Sequence, residues 1–409
     1  MNLNLQRNID RSIGTSICWF LSLIPRKDKD IDIKFRSKNI LVILLSEMGS
    51  LVLAKPMFDF LKQKYPDAII NVLLFERSRE VMDILGVTPL ENMHTVRNNS
   101  LIQLLIDSLR FLKKIRKLKI DTVIDCELFS RISSIFSFLS GARIRVGFHS
   151  YTQEGLYRGS FINRPVLYNP YNHISHQFIT LSEAIESDRV PSVKRLIKSG
   201  NFQPPDIKFS QKEINKLRTR FKSDFPQIAG KKIVLVYPSG GLLPIRAWPL
   251  ENFCYLTEDL IDNGYAVGVI GLEVDKGLSN VILSRCRSEE CIDLTGYTKT
   301  IRELMVMFHF ASLLITNDGG PGHFASMTPI PSIILYGPET PTLYGSLGDK
   351  SVSLYDPLSC SPCLTAYNHR NSPCDGDNLC LKNISPEEVL ANAYEILGKQ
   401  ASSSSLLCY

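Results

Sequence analysis

The chain has 409 residues, of which 44% are hydrophobic and 22% charged, and its formal net charge is +6. This length is too great for one hydrophobic core and predicts two domains of roughly 150 to 200 residues each. The charge excess is too small to indicate nucleic-acid binding, but it suits anionic substrates or an anionic membrane surface. The longest candidate for membrane insertion, Ile17–Ile24, is far shorter than the ~20 apolar residues of a spanning helix, and no cleavable signal is evident. We therefore expect a cytoplasmic protein.

The N-terminal extension, residues 1–38, combines many cations with one short apolar segment. Ile17–Ile24 contains Trp19, Phe20 and Leu23, and Pro25 follows it. An apolar segment that bears a tryptophan and lies between cations can occupy the headgroup region of an anionic membrane leaflet. Alternatively, these side chains pack on the first domain, and the sequence does not decide between the two. Peripheral attachment to the inner face of the cytoplasmic membrane is therefore one hypothesis for this extension.

Residues 39–190 alternate apolar strands with helices and are predicted to form the first domain. Strands are predicted over 39–45, 68–75, 122–126 and 143–148, and helices over 51–65, 101–118 and 132–139. The helix over 101–118 is predicted to carry basic residues on its polar side. The tract 151–176 is rich in Gly, Pro and Asn and is predicted to be a loop. This alternation indicates a parallel, doubly wound α/β sheet.

A polar linker with three prolines, 191–205, precedes a second domain over 206–385 and a C-terminal helix and tail over 386–409. Strands are predicted over 231–238, 266–271, 292–294, 313–315 and 332–336, and helices over 211–221, 250–263, 301–311 and 386–397. This pattern again indicates a doubly wound parallel sheet. The fold class is therefore α/β with two Rossmann-like domains.

Two glycine-rich loops follow adjacent predicted strands in the second domain. Residues 316–323 read Thr-Asn-Asp-Gly-Gly-Pro-Gly-His, and residues 337–342 read Gly-Pro-Glu-Thr-Pro-Thr. In open α/β sheets, ligands bind in a crevice at the carboxyl ends of the strands, and loop amides there favour an anion such as a diphosphate. Either loop alone could be a simple tight turn. Two on adjacent strands, one with an Asp and a His, favour a binding site.

The same stretch carries a family resemblance. Asn317–Ser326 together with Pro329–Pro341 resembles the nucleotide-sugar signature of glycosyltransferase family 9, which contains the ADP-heptose:lipopolysaccharide heptosyltransferases. The resemblance implies the GT-B arrangement, with two Rossmann-like domains facing each other across a cleft. It also implies an inverting enzyme that moves heptose or a similar sugar from a nucleoside-diphosphate sugar to a lipopolysaccharide or other surface-glycan acceptor.

The resemblance assigns donor-binding residues to the second domain. The family has a Lys two residues before a Trp-Pro pair, and that Lys contacts the diphosphate. Arg246 occupies this place before Trp248-Pro249, and it keeps the charge. No other cofactor is expected, because Arg246 and loop amides would neutralise the leaving diphosphate without a metal. The predicted donor-binding set is Ser239, Arg246, Glu273, Asp318, Gly319, Gly320 and His323.

The resemblance is imperfect at the expected catalytic base. Family members have a Gly-Asp pair in the turn after the first strand, and the Asp is the proposed base. Here the pair is Gly49-Ser50, and a serine hydroxyl is not a base near neutral pH. Glu47 lies in the same turn and is the candidate replacement. Basic residues in the second half of this domain bind the anionic acceptor in similar enzymes, so the candidates for that role are Arg131, Arg145 and Arg158.

Four of the ten cysteines are clustered near the C-terminus. Cys360, Cys363, Cys374 and Cys380 follow the spacing x2, x10 and x5, which is not a clean zinc-ribbon pattern. In a reducing compartment such a cluster indicates a metal more often than disulfides. The alternatives are a structural zinc site and reduced thiols.

Two other functions remain open at this point. The first is a non-catalytic or altered member that binds a nucleotide sugar but lost its base at Ser50. The second is an unrelated two-domain sugar-nucleotide epimerase with the same architecture. A Gly-x-Gly-x-x-Gly fingerprint after the first strand is absent, which argues against a dehydrogenase.

Overall fold

Two six-stranded parallel sheets organise the chain. The computed structural model describes residues 3–24, 36–45, 47–148, 157–187, 193–197, 202–366 and 370–398. One compact unit comprises residues 1–200 with 366–370, and the other comprises residues 201–365 with 371–409. Parts of the predicted linker (191–205) and loop tract (151–176) lie outside the described residues, as does the end of the predicted C-terminal tail.

The first sheet has the strand order β3-β2-β1-β4-β5-β6. Ile40 of β1 pairs with Ile70 on one side and with Thr122 on the other, so β1 is central. These strands are rich in β-branched and apolar residues, because both faces of a parallel sheet are buried. The chain reverses its direction of sheet growth between β1 and β4, and such a switch point forms a crevice at the carboxyl edge. The strands are β1 (Asn39–Ile43), β2 (Ile69–Phe75), β3 (Met93–Val96), β4 (Thr122–Asp125), β5 (Ile144–Phe148) and β6 (Arg164–Val166).

Eight helices belong to the described part of the first unit. They are α1 (Leu3–Ile9), α2 (Thr15–Ser22), α3 (Met48–Leu53), α4 (Lys55–Lys64), α5 (Arg79–Leu85), α6 (Leu101–Ile115), α7 (Arg131–Leu139) and α8 (Ile174–Glu183). The single helix predicted over 51–65 is two helices that meet at Ala54, since Pro56 has no N–H to continue the first ladder. The tract predicted as loop contains β6 and the start of α8.

The described residues 3–24 of the N-terminal extension are mostly helical, and no helix was predicted there. A π-helical turn, Asp10–Gly14, joins α1 to α2. The Asp10 carboxylate accepts hydrogen bonds from the backbone N–H groups of Arg131 and Ile132 at 3.0 Å, at the start of α7. Cys18 packs in a small buried cluster with Phe138 and Phe161.

The side chains named as packing candidates do not make this contact. Trp19, Phe20 and Leu23 are 54%, 62% and 62% exposed. The extension therefore packs on the first unit through one face and leaves its most apolar face open.

The second sheet has the order β12-β11-β10-β7-β8-β9, with its switch point between β7 and β10. Gly268 of β8 lies where a Cβ atom would come within 2.6 Å of Leu294, so glycine is required for this close packing. The edge strand β12 was not predicted. The strands are β7 (Ile233–Tyr237), β8 (Ala266–Gly271), β9 (Cys291–Thr295), β10 (Leu313–Asn317), β11 (Ser332–Tyr336) and β12 (Ser351–Tyr355).

The helices of the second unit cover both faces of this sheet. The final helix, predicted over 386–397, has those bounds. The helix after β10 begins at Gly320, inside the glycine-rich loop 316–323. The helices are α9 (Gln211–Asp224), α10 (Leu250–Asp262), α11 (Lys276–Cys286), α12 (Ile301–Met307), α13 (Gly320–Ser326), α14 (Pro341–Tyr344), α15 (Leu379–Lys382) and α16 (Pro386–Leu397).

His94 predicts how the stability of the first unit depends on pH. Its ring is buried, hydrogen-bonds Asn71 at 3.0 Å, and burial, reinforced by Lys114, lowers the pKa of its imidazole to about 4. The unfolded chain binds this proton below about pH 6.5. Above about pH 6.5, protonation of His94 therefore does not reduce the free energy of unfolding. As the pH drops from there to about 4, the free energy of unfolding falls by on the order of 3 kcal/mol. Urea titrations across this range would measure the loss.

His94→Gln should reduce this acid-dependent loss. His309→Gln is the matched control, because His309 is a partly exposed histidine of the second unit that bonds the Met305 carbonyl. Equal pH profiles for His94→Gln and the unmodified protein would contradict the prediction.

Candidate functional site

The carboxyl edge of the second sheet gathers several predicted donor-binding residues. The loop after β7 contains Ser239 and Arg246, β10 leads into Asp318, and β11 leads into Glu339. Because β7, β10 and β11 are parallel neighbours, their carboxyl ends meet at one edge. This edge includes the switch point, where α/β folds bind ligands.

Arg246 lies between two buried carboxylates. Its Nη2 donates to Glu339 Oε2 at 2.7 Å, and its Nε lies 3.6 Å from Asp318 Oδ2. The three residues are 3% to 6% exposed. Burial of a guanidinium is costly unless carboxylates compensate its charge, and here two do so. The structure thus brings Arg246 and Asp318 together, as the sequence led us to expect.

Glu339 was not among the predicted site residues. The signal was present, because Glu339 lies in the Gly-Pro-Glu loop directly after β11, and β11 pairs with the strand that leads to Asp318. Sequence separation hid the contact, since Arg246 and Glu339 are 93 positions apart.

Asn317 holds the loop that carries Arg246. Its side-chain amide donates to the carbonyls of Pro238 and Ser239 at 3.0 and 3.2 Å, and its Oδ1 accepts from the Trp248 N–H at 3.0 Å. Asn317 is fully buried, so these bonds satisfy backbone groups that water does not reach. Both ends of the loop are therefore fixed to the end of β10.

Two glycines permit the close packing around this edge. A Cβ atom at Gly240 would lie 2.7 Å from the Leu243 carbonyl oxygen, and this backbone atom cannot rotate away as a side chain could. A Cβ atom at Gly322 would meet the Ile334 side chain at 2.7 Å, so glycine lets α13 approach β11. Gly322 of the signature and Gly240 of the loop after β7 are thus explained by packing.

The remaining predicted donor residues differ in exposure. Ser239 is buried, and its Oγ accepts from the Gly241 N–H at 3.1 Å. His323 is buried on α13, which begins at Gly320 after an extended Gly319. Glu273 follows β8 at the same edge, but its side chain is 72% exposed and lies 4.0 Å from Lys276. Ser239 and His323 are thus buried near Arg246, whereas the side chain of Glu273 is exposed.

In the first unit, Glu47 lies among cations. It directly precedes α3, and its Oε1 accepts from Arg370 Nη1 at 2.8 Å. Partial burial lowers the pKa of Arg7 and of Arg77, and the nearby Glu47 carboxylate raises the pKa of both. These guanidinium groups stabilise the ionised form of Glu47. Ser50 is half-buried one turn later in α3.

The three predicted acceptor arginines are buried and bonded to the protein. Arg145 Nε and Nη1 donate to the carbonyls of Phe161 and Ala142 at 2.5 and 2.7 Å. Arg131 Nε donates to the Tyr157 carbonyl at 3.1 Å.

Arg158 makes the largest set of such bonds. It pairs with the fully buried Asp125 and donates to the carbonyls of Glu127 and Ser130 at 2.7 and 2.8 Å. These contacts favour a structural role for Arg131, Arg145 and Arg158, and they do not support the expectation that the three bind an acceptor. The sequence analysis instead missed Arg7, Arg77 and Arg370.

The cysteine cluster does not form a metal site in the described part of the chain. Cys380 is buried, which raises the pKa of its thiol, and Cys360, Cys363 and Cys374 raise it further. Ser372 Oγ donates to Cys363 Sγ at 3.0 Å. Among the residues that the structure describes, no group of three or more His, Cys, Asp or Glu could hold a metal ion. The predicted structural zinc is therefore not supported.

Aspartates separated by one other residue occur at two places in the sequence. Asp28, Asp30 and Asp32 alternate with other residues outside the described ranges. Asp375-Gly376-Asp377 is described, and there Asp377 pairs with Lys382 and its backbone N–H donates to Asp375 at 3.0 Å. Its carboxylates thus serve local contacts.

Comparison with known proteins agrees with the fold and with the signature. The model of glycosyltransferase family 9 (heptosyltransferase) matches residues 108–372. Lipopolysaccharide heptosyltransferase 2 of Salmonella typhimurium is 22% identical over 375 residues, which cover 88% of this chain and 99% of that protein.

Solved structures share the two-sheet architecture. The ADP-heptose lps heptosyltransferase II of E. coli matches with a TM-score of 0.67 and 20% identity, over 88% of this chain and 98% of that one. The E. coli heptosyltransferase WaaC with ADP has a TM-score of 0.60 and 15% identity, over 88% and 99%. The iron-containing dodecameric glycosyltransferase TibC of enterotoxigenic E. coli has a TM-score of 0.51 and 12% identity, over 90% and 81%.

These likenesses establish a GT-B type fold, which agrees with the two parallel doubly wound sheets. The family model covers more than half of the chain and includes the strand ends that carry Arg246, Asp318 and Glu339. Membership also favours a glycosyltransferase over the epimerase alternative. The chain belongs to glycosyltransferase family 9.

Proposed function

We propose that this protein is an inverting glycosyltransferase that moves heptose or a similar sugar from an ADP-heptose-like donor to a lipopolysaccharide-type acceptor. The observation that carries the proposal is the buried Arg246 between Asp318 and Glu339, at the switch point of the second sheet. Family membership supports the donor and the acceptor, as does the similarity to lipopolysaccharide heptosyltransferases, one of which was solved with ADP.

The second unit would stabilise the leaving nucleoside diphosphate. Negative charge develops on the diphosphate as the bond to the anomeric carbon breaks, and oriented donors lower the barrier. Asp318 and Glu339 hold the guanidinium of Arg246 in one orientation, so no reorganisation is needed during the reaction. Ser239 and His323 lie in the same buried region and would contribute further donors.

The first unit would supply the base and attract the acceptor. Glu47 is the carboxylate of the turn after β1, and we retain it as the group that takes the proton from the acceptor hydroxyl. Its ion pair with Arg370 Nη1, at 2.8 Å, holds the carboxylate in place in this turn. Arg7, Arg77 and Arg370 together give this edge an excess of positive charge, which suits a phosphorylated or carboxylated glycan.

Two finer points complete the proposal. The reaction would not require a metal, because Arg246 together with oriented loop amides and neutral donors would stabilise the diphosphate in place of a divalent ion. A lipid-linked acceptor would be met at the cytoplasmic surface of the membrane, where the protein would be peripheral. The proposed domain limits are those predicted, 39–190 on the acceptor side and 206–385 on the donor side, except that residues 366–370, which include Arg370, belong to the first unit.

Arg246 substitutions test the donor site. Arg246→Gln should lower kcat/KM by about 100- to 1000-fold, the usual cost of losing one charged donor to the leaving group. Arg246→Lys restores the family residue and should stay within about tenfold of the unmodified protein. Radiolabelled sugar transfer from ADP-heptose to a purified acceptor would measure both.

The folding effect of Arg246→Gln is separable from its catalytic effect. Loss of the cation leaves Asp318 and Glu339 facing each other, which destabilises the second unit. Arg246→Gln combined with Glu339→Gln relieves this repulsion and should recover the urea midpoint while transfer stays low. Arg285→Gln, at an exposed arginine of the same unit, is the control. Recovery of transfer in the double variant would argue against Arg246 as a donor-site cation.

Substitutions at Glu47 and Ser50 identify the base. Glu47→Gln should lower kcat by about 100- to 10,000-fold, whereas Ser50→Ala should change it little. Adding Ser50→Asp to Glu47→Gln restores a carboxylate at the family position and should recover part of the rate. If Glu47→Gln retains full turnover, the base lies elsewhere. If free sugar is the sole product, the protein hydrolyses its donor and the transferase proposal fails.

Chelation tests metal independence. Transfer should be unchanged in excess EDTA, because a protein-bound guanidinium is not removed by a chelator. The assay compares initial rates with EDTA and with added Mg²⁺ or Mn²⁺ after exhaustive dialysis. A rate that is lost in EDTA and restored by a divalent cation would show that the site needs a metal.

A further inference from the structure

Exposed apolar side chains are concentrated on two segments of the first unit. Of the 25 large apolar residues that are exposed in the described chain, 12 lie on α6 or within residues 3–24, which contain α1 and α2. On α6 they are Leu101, Ile102, Leu105, Ile106 and Leu109. Within residues 3–24 they include Ile13, Ile17, Trp19, Phe20, Leu23 and Ile24. We call these residues together the apolar face.

The exposure on α6 is not the ordinary solvent side of an amphipathic helix. The opposite side of α6 already packs on the core through Phe111 and Ile115. In its first half Leu104 packs against the same core, whereas Ile102 and Leu105 are 71% and 61% exposed, so apolar residues lie on both sides there. The prediction of a polar, basic outer side holds for the C-terminal part of the helix alone. A helix at the surface of a soluble protein normally exposes polar residues. The exposed apolar residues of α6 therefore indicate an interaction surface.

The two segments adjoin each other. Asn98, just before α6, donates from its side-chain amide to Gln6 Oε1 of α1 at 3.3 Å, and Gln6 Nε2 donates to the Asn98 backbone carbonyl at 3.5 Å. Asp10 caps the start of α7, and Phe136 of α7 packs edge-to-face on Phe111 of α6. The N-terminal helices, α7 and α6 are therefore neighbours on the same side of the sheet.

Charge on this surface has one sign. Residues 3–24 contain one acid, Asp10, and residues 97–119 contain one acid, Asp107. Asp10 is used by the start of α7, and Asp107 by Arg97, which lowers the pKa of that carboxyl to about 2. The exposed charges are cationic. They follow the apolar residues in the second half of α6 and in the segment directly after it, at Arg110, Lys113, Lys114, Arg116, Lys117 and Lys119.

We propose that the apolar face and the cations beside it dock this protein on an anionic phospholipid bilayer. Apolar side chains, including a tryptophan, would enter the headgroup region, and the cations would contact lipid phosphates. Among the described residues no helix is long and apolar enough to cross a membrane, so the docking is to the surface. A second copy of the chain fits less well, because two such faces would bring cations against cations.

This inference deepens the proposed function, because it names the surface at which a lipid-linked acceptor is met. The test does not need turnover, so its result is independent of the donor, the acceptor and the base. The measured quantity is the partition of the full chain onto vesicles of phosphatidylcholine with and without phosphatidylglycerol, by co-sedimentation.

Wild-type protein should bind the anionic vesicles at least about tenfold more tightly than neutral ones. Lys113→Glu with Lys117→Glu should weaken binding by at least about twentyfold, since each cation near the surface contributes about fivefold. Ile102→Gln with Leu105→Gln and Leu109→Gln should weaken it by at least about tenfold, because these side chains lose their apolar insertion. Added salt should reduce the cationic contribution and leave the apolar one.

Trp19 provides a direct signal of insertion. The chain has two tryptophans, and Trp248 is buried while Trp19 is 54% exposed. Emission should shift to shorter wavelength when anionic vesicles are added, and Trp19→Phe should abolish the shift. A signal that persists in Trp19→Phe would overturn the assignment of the N-terminal helices to the docking face.

Matched controls lie on the second unit. Lys212→Glu with Lys216→Glu reverses two exposed cations of α9, and Leu272→Gln with Val274→Gln removes two exposed apolar residues. These variants should bind vesicles like the wild type. The proposal is overturned if the wild type ignores anionic vesicles, or if the α6 variants bind them as the controls do. It is also overturned if light scattering shows that the α6 variants convert a dimer to a monomer while vesicle binding is unchanged.

Discussion

The second unit's site depends on one buried cation. A guanidinium away from water is tolerated where carboxylates compensate it, and for Arg246 these are Asp318 and Glu339. Each of the three residues comes from the carboxyl end of a different strand. The charge is therefore stable only when β7, β10 and β11 are paired in register and when Asn317 holds the loop of Arg246. The sheet topology and the chemistry of the site are in this sense one constraint.

The balance of charge differs between the two units. The buried group of Arg246, Asp318 and Glu339 carries one negative charge in excess when both acids are ionised. Attraction by side-chain charge alone would not hold a diphosphate there, so oriented amides and neutral donors must contribute. Around Glu47 three guanidinium groups face one carboxylate, and the excess is positive. In the proposed function, an anionic acceptor would be attracted by the cations around Glu47, whereas the donor would be recognised by the geometry of its loops.

Hydrophobic periodicity predicted the central elements well, because buried parallel strands are continuous apolar runs. The bounds of β11 and α16 were predicted to the residue. The edge strands β3, β6 and β12 were missed, since an edge strand is short and carries polar residues. In the site, the resemblance singled out Arg246 and Asp318 but missed Glu339, because a contact across 93 residues leaves no local pattern.

Arginine is the residue whose role the sequence reveals least. Arg145 and Arg158 look like surface cations in the sequence, yet their donors are used by buried carbonyls and by Asp125. The guanidinium has five N–H donors in a planar fork, which suits loop carbonyls as well as phosphates. Only the path of the backbone around each arginine distinguishes the two uses, and that path is a property of the fold.

The same reasoning explains how the apolar face obtains its positive charge. Asp10 and Asp107 are the acids nearest to it, and folding uses both, one at a helix start and one in an ion pair with Arg97. Each bond stabilises the first unit, and each also removes a negative charge from the outer surface. Apart from Arg110, which lies 3.5 Å from Asp107, the cations of α6 do not have to move or lose an ion-pair partner before the face can attract anions. The contacts that order the N-terminal helices and the loop before α6 therefore also create the field that would bring the protein to a phospholipid surface.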